Sequence, residues 1–214
     1  MGGEYTFVIA DLAGYTALTE AHGGAEAAKT VARYTELASN ALLSGSRLVE
    51  RVGDQVLIVS DDPRDAVATA IHLRAAVDRE PLFLGVRIGL DAGTALEQDG
   101  RYFGSALNIA ARVAAHARGG QILCTAHVAS AVSEMPDMRC VLVGVVRFKN
   151  VAEPVELFEV ASTIQSPTVD PVCHMHVDAA TAPARLPFDD ATYYFCSFQC
   201  AEAFARQPLA YVEP

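Results

Sequence analysis

The chain has 214 residues, 51% hydrophobic and 20% charged, and its 16 Lys and Arg against 26 Asp and Glu give a net charge of −10. That sign does not suit the neutralisation of nucleic acid phosphates, and no apolar run reaches the 18 residues typical of a membrane span. We therefore expect a soluble, cytoplasmic protein with no nucleic acid or membrane partner, built from one ordinary domain and one small one.

The first half of the chain alternates strand and helix patterns. TFVIAD predicts a strand, and an alanine-rich helical pattern runs from about Thr16 to Leu43, loosened at His22-Gly23-Gly24. RLVERVGDQVLIVS predicts a hairpin that turns at Gly53-Asp54, Pro63 begins a second helix, and LFLGVRIGLDAG is another strand. The order β-α-β-β-α-β is that of a ferredoxin-like sheet in an α+β fold, with helices expected on one face.

Later patterns complete this sheet and then change character. SALNIAARVAAHA predicts an amphipathic helix, and QILCT, MRCVLVGVVRF and VELFEVAS predict strands in which Cys124 and Cys140 are buried structural thiols. We assign residues 1–161 to the first domain and the polar, proline-containing residues 162–168 to a linker. Residues 169–214, which contain three of the five cysteines, form the second domain.

Two carboxylates are candidates for a metal site in the first domain. Asp11 ends the first strand and Asp54 lies in the hairpin turn, and this topology can bring both places side by side. Oxygen ligands suit Mg²⁺ or Mn²⁺, and two such ions can activate a hydroxyl and neutralise a leaving pyrophosphate. The alternative is that Asp54 only makes the turn and Asp11 caps the next helix.

A polar pair on the third helix is the second candidate. Asn108 and Arg112 are four residues apart and share a helix face. An arginine there can stabilise charge on a pentavalent phosphorus. The alternative is that Asn108 faces water and Arg112 pairs with a surface acid.

Five ordered segments within residues 4–161 resemble the class III nucleotide cyclase catalytic domain. They are FVIADLAGYTALTE, RLVERVGDQVLIVSDDP, GVRIGLDAG, RYFGSALNIAARVAAHA and FKNVAEPVELFEV. The resemblance implies that Asp11 and Asp54 bind two Mg²⁺ or Mn²⁺ ions per site, that Asn108 orients the ribose, and that Arg112 stabilises the transition state. It also implies a head-to-tail homodimer that converts ATP, or less favourably GTP, into a 3′,5′-cyclic nucleotide and pyrophosphate.

The positions that read the base depart from the adenylate cyclase pattern. The family has a lysine and an aspartate where this chain has Glu50 and Arg101. Three interpretations stay open: the pair contacts adenine by a different reach, it matches the donors and acceptor of guanine, or it bridges across the dimer and fills the pocket. We also assign Leu12, which follows Asp11, to substrate binding.

The second domain contains a candidate site for Zn, Cu or Fe. Cys173, Cys196 and Cys200 follow the spacing C-x22-C-x3-C, which puts the last two one helical turn apart. His174 and His176 are candidates for a fourth ligand, whereas His22, His72, His116 and His127 belong to no motif. A metal would stabilise so small a domain, and the alternative is three buried free thiols.

The second domain resembles the YHS domain, a TRASH-like treble-clef module often associated with metal binding or sensing. The resemblance rests on DPVCHMHV and ATYYFCSFQCAEAFARQPLAYV. The family usually has glycine at His174 and a His-Gly pair at Asp189-Asp190. We expect this domain to couple metal or redox state to cyclase activity. Two alternatives are a catalytically weak cyclase-like scaffold that serves a metal sensor, and metal handling alone.

Overall fold

The computed structural model describes residues 2–133, 135, 138–161 and 168–212. The strands of the first domain are β1 (Gly2–Leu12), β2 (Ser46–Val52), β3 (Gln55–Ser60), β4 (Val86–Gln98), β5 (Arg101–Phe103), β6 (Ile122–Thr125), β7 (Cys140–Val146) and β8 (Val155–Val160). Its helices are α1 (Tyr15–His22), α2 (Gly24–Asn40), α3 (Pro63–Asp78), α4 (Ser105–His116) and α5 (Ala126–Val132). Within the described residues, no helix is both long and apolar enough to cross a membrane.

The strands form one mixed sheet in the order β2-β3-β1-β4-β6-β8-β7, and β5 pairs with the end of β4. Alternation along β1 divides the core into two layers, because successive side chains of a strand point to opposite faces. Val8 and Ala10 pack with α2 and α3, whereas Phe7 and Ile9 pack with α4. The α+β fold is confirmed: α1, α2 and α3 of the βαββαβ unit share one face of the sheet, and α4 covers the other face.

The helices begin and end where the backbone allows. The helical pattern predicted over Thr16–Leu43 is two helices, because Gly23 has a positive φ of 83° and separates α1 from α2. Asp62 caps α3 by accepting a hydrogen bond from the backbone N–H of Arg64 at 2.8 Å, with Pro63 in the first turn. These boundaries fix His22 as the last residue of α1.

Helix α4 lies unusually close to the sheet. A Cβ at Gly89 of β4 would lie 2.1 Å from the backbone nitrogen of Ala114 and 2.6 Å from the carbonyl oxygen of Ala110. Only glycine permits this approach. The contact sets how far Asn108 and Arg112 of α4 stand above the sheet.

The second domain contains two short hairpins and one helix. They are β9 (Thr168–Val169) with β10 (His176–Val177), β11 (Ala184–Phe188) with β12 (Ala191–Phe195), and α6 (Phe198–Arg206). Phe204 of α6 packs at ring-centroid distances of 5.0–5.8 Å from Phe188, Tyr193 and Phe195. Residues 162–167 of the predicted linker lie outside the described residues.

The second domain packs directly on the first. The backbone N–H of His176 donates to the carbonyl oxygen of Phe83 at 2.7 Å, and Met175 forms an isolated β-bridge with Leu84. Buried side chains of both domains belong to one apolar cluster. The contact lies at the start of β4, which pairs there with the end of β1 through Arg87 and Asp11.

Candidate functional site

Asp11 and Asp54 come together at one end of the sheet. Asp11 lies at the end of β1, and Asp54 lies in the turn between β2 and β3. Arg87, the β-sheet partner of Asp11, donates from Nε to Asp11 Oδ2 at 2.9 Å and from Nη2 to the same oxygen. Nothing in the local sequence indicates this ion pair, because 76 residues separate its members.

The electrostatics of this pair favour a cation. Burial, followed by the nearby charge of Asp11, raises the pKa of Asp54 to about 6, and the charge of Arg87 opposes this shift. Two adjacent carboxylates are suitable donors for a hard divalent ion, since its charge relieves their repulsion. The donor set therefore fits Mg²⁺ or Mn²⁺.

Tyr34 of α2 is a further group beside the carboxylates. Its side chain is fully buried, and its hydroxyl has no hydrogen-bond partner among the described residues. Burial, followed by the charges of Asp11 and Asp54, raises its pKa. A buried phenol normally finds a partner, so this hydroxyl is available to a water or ligand in the carboxylate site.

Asn108 and Arg112 line an open cavity on the outer face of α4. The cavity has a volume of about 660 Å³ and also contacts Asn150 and Val151 of the β7–β8 connection. Asp11 and Asp54 do not line it. Within one chain, the cavity that Asn108 and Arg112 share therefore does not include the carboxylates.

Glu50, one of the residues predicted to contact the base, shares a cavity with α4. It lines a cavity of about 210 Å³ together with Val52, Gln55 and Asn108. Arg101 is exposed on β5 and does not line this cavity. The assignment of Leu12 needs correction: only 1% of it is exposed, and it packs in the main core, so its side chain is not available to a nucleotide.

Three cysteines of the second domain and one histidine of the first domain form a compact donor cluster. Cys196 Sγ lies 3.4 Å from Cys173 Sγ, 3.7 Å from Cys200 Sγ and 3.5 Å from His22 Nε2, and Cys200 Sγ lies 3.6 Å from the same nitrogen. In tetrahedral zinc sites, S···S is about 3.8 Å and S···N about 3.5 Å, from Zn–S and Zn–N bonds of about 2.3 and 2.0 Å. The cluster therefore has the dimensions of a four-coordinate metal site.

Buried hydrogen bonds hold the cysteine loops in place. Asp170 is fully buried, and its carboxylate accepts from the backbone N–H of Val172 and Cys196 at 2.8 Å each and from that of Cys173 at 3.4 Å. Ser197 caps α6 by accepting from the N–H of Cys200 at 3.2 Å. One carboxylate thus joins both cysteine-bearing segments.

The thiols also divide their protons unequally. Hydrogen bonds from Cys173 and Cys196 lower the pKa of Cys200, and hydrogen bonding with Cys196 and Cys200 raises the pKa of Cys173. These hydrogen bonds favour the thiolate form of Cys200, which is the form of cysteine that binds metal.

The histidine in the cluster is not one of the two near Cys173 in the sequence. Neither His174 nor His176 belongs to the donor group, because His174 packs over Gly14 and His176 Nε2 points at Gly85. His22, which belongs to no sequence motif, supplies the fourth donor from α1. Only the packing of the two domains reveals it, since 174 residues separate His22 from Cys196.

Comparisons with known proteins fall into two parts along the chain. The YHS domain family model matches residues 168–214. An uncharacterized protein of Mycobacterium tuberculosis is 35% identical over 151 residues, which cover 70% of this chain and 39% of that protein. A pH-sensitive adenylate cyclase of the same species is 30% identical over 160 residues, which cover 73% of this chain and 40% of that enzyme. The match thus spans about two fifths of these relatives.

The fold of the first domain also occurs in solved structures. The adenylyl cyclase CyaB from P. aeruginosa superposes with a TM-score of 0.64, covering 77% of this chain and 97% of that one. Sequence identity across the superposition is 23%, so this likeness concerns the fold.

Proposed function

We propose that this chain, which joins a class III nucleotide cyclase domain to a C-terminal YHS domain, converts ATP, in preference to GTP, into the 3′,5′-cyclic nucleotide and pyrophosphate. The observation that carries the proposal is the carboxylate pair. Asp11 lies at the end of β1 and Asp54 in the β2–β3 turn, where burial and the charge of Asp11 raise the pKa of Asp54 to about 6. The adenylate cyclase among the relatives supports ATP as the substrate.

In the proposed reaction, the ribose 3′-oxygen forms a bond to the α-phosphorus, the bond from that phosphorus to the bridging oxygen breaks, and pyrophosphate leaves. The 3′-hydroxyl proton passes to solvent. Divalent ions held by Asp11 and Asp54 would lower the pKa of that hydroxyl and neutralise charge on the pyrophosphate. Asn108 orients the ribose, and Arg112 donates hydrogen bonds to the α-phosphate oxygens as their charge rises.

The proposed enzyme is a head-to-tail homodimer. Asp11 and Asp54 do not line the cavity that Asn108 and Arg112 share, which supports an active site formed between two copies. Val52 and Phe103 support this arrangement, because they are 63% and 55% exposed and lie near Glu50 and Arg101. A second copy that covers these two side chains would remove their apolar surface from water.

Glu50 is proposed to be the main contact of the base. Glu50 lines the same cavity as Asn108, and its carboxylate can accept a hydrogen bond from the exocyclic amine of adenine. Arg101 lies outside that cavity and would reach the base only from a different direction.

A second candidate function is a catalytically weak scaffold attached to a metal-binding module. The observation that favours it is the ion pair of Arg87 with Asp11. A guanidinium that donates twice to one carboxylate oxygen competes with a divalent ion for that oxygen.

An assay of cyclic product separates these two functions. The purified full chain is incubated with Mn²⁺ and either ATP or GTP, and Asp54→Asn serves as the blank. We expect cyclic product from ATP, a smaller amount from GTP, and at least about a 100-fold loss in Asp54→Asn, since a metal supplies several kcal/mol of stabilisation to the transition state. A folded chain that yields no product from either nucleotide is a scaffold.

A further inference from the structure

We propose that His22, Cys173, Cys196 and Cys200 bind one thiophilic transition metal ion, with Zn²⁺ the best match, and that this ion fastens the YHS domain to helix α1 of the cyclase domain. The donors lie within 4.8 Å of one another. Three sulfurs and one imidazole nitrogen are a common structural zinc set, and the four donors close the coordination shell. The site therefore differs from a metal module confined to the YHS sequence.

The fourth ligand ties two helix ends together. His22 is the last residue of α1, and Cys200 lies in the first turn of α6. A direct hydrogen bond supports the same contact, because Gln199 Nε2 donates to the carbonyl oxygen of Ala21 at 3.3 Å. An ion held by residues of both helices would fix their relative position.

The cysteine loop also covers the other end of α1. His174 packs so closely on Gly14 that a Cβ there would lie 2.5 Å from the Cβ of His174. Gly14 is the cap of α1, and Ala13 donates its N–H to the carbonyl oxygen of Gly85 at 2.8 Å. The metal site and its adjoining loop thus hold α1 at both ends.

Helix α1 begins four residues after Asp11. A metal that fixes α1 would therefore also restrain the loop behind the carboxylate site. This consequence for catalysis rests on the proposed function, whereas the metal site and its link to α1 do not.

Metal titration of the full chain tests the site. Reduced, metal-free protein is titrated with Co²⁺, and Zn²⁺ affinity is then measured by competition. We expect one ion per chain and the visible absorption of tetrahedral Co²⁺ bound to thiolates. His22→Ala and His22→Gln should each lower Zn²⁺ affinity at least about 100-fold, since changes to groups that only support a ligand already cost 10–100-fold. The control is His72→Ala on α3, an exposed residue outside the cluster, which should match the wild type.

An unchanged affinity and spectrum in both His22 variants would overturn the proposal, as would a loss of affinity in His174→Ala that matches the loss expected for His22. Failure of the wild type to bind Co²⁺ or Zn²⁺ under reducing conditions would also overturn it and leave three buried thiols.

Hydrogen exchange tests the link to the cyclase domain. Zn²⁺ should slow amide exchange in α1 of the wild type, and the effect should be absent in His22→Ala at saturating Zn²⁺. Equal exchange with and without Zn²⁺ in the wild type would contradict the link. Neither readout involves nucleotide turnover, so an inactive chain that gives the expected titration would refute only the proposed cyclase activity.

Discussion

The two candidate ion sites of this chain differ in the chemistry of their donor atoms and in how far solvent reaches them. The carboxylate site offers oxygen donors, is partly exposed, and contains an aspartate whose pKa is raised to about 6. The YHS site offers three sulfurs and a nitrogen, and its cysteines are at most 8% exposed. Open oxygen sites suit ions that must also contact substrate, and closed sulfur sites suit ions that stabilise structure.

Two aspartates express this difference in opposite ways. The carboxylate of Asp170 accepts hydrogen bonds from three backbone N–H groups behind the cysteine cluster. These hydrogen bonds stabilise its negative charge in the folded chain. Asp54 is desolvated next to a second carboxylate, so in the absence of a cation its negative charge destabilises the folded chain. Replacing each by asparagine should therefore change stability with opposite signs.

The larger effect is expected at Asp170. Asp170→Asn weakens the acceptor for buried N–H groups in two segments and should lower the free energy of unfolding by about 1–3 kcal/mol. Urea unfolding of the Zn²⁺-loaded chain measures this loss. The control is Asp178→Asn, whose exposed side chain accepts from the N–H of Ala180 at 2.9 Å and should change stability by less than about 0.5 kcal/mol. Equal losses of unfolding free energy in the two variants would contradict the claim that Asp170 holds the cysteine loops in place.

The smaller effect is expected at Asp54 and depends on pH. Its folded pKa of about 6 lies above the ordinary 3.8, so the folded chain binds the proton more tightly than the unfolded chain. By linkage, the free energy of unfolding falls as the pH rises from about 3.8 through 6. Above about pH 6, Asp54 is ionised in the folded chain and its full destabilising effect is present. In a chelator at pH 7.5, Asp54→Asn should therefore raise the melting temperature.

The control for this comparison is the same pair of proteins at pH 4, where the advantage of Asp54→Asn should have largely disappeared. Addition of Mn²⁺ at pH 7.5 should stabilise the wild type and not the variant. A variant less stable than the wild type at pH 7.5 in chelator would mean that the carboxylate pair is not under repulsion.

The sequence predicts site residues that belong to short local motifs, but it does not predict contacts that form only when distant segments pack together. Asp11, Asp54, Asn108 and Arg112 stand in short motifs, and the three cysteines have a recognisable spacing, so their chemistry could be proposed before the structure. His22 and Arg87 had no such signal, because their partners lie 174 and 76 residues away and meet them only through packing. Leu12 shows the opposite error, since the residue directly after Asp11 in β1 points to the opposite face of the sheet, where Leu12 packs in the core.

The sharing of the active site between two copies is the central claim, and complementation tests it most directly. Asp11→Ala and Asn108→Ala are each expected to be inactive, because each removes an essential group from both sites of a homodimer. Mixed in equal amounts and allowed to exchange subunits, they should recover about a quarter of the wild-type cyclase activity, since half the dimers then contain one intact site. No recovery, despite demonstrated subunit exchange, would contradict the shared site.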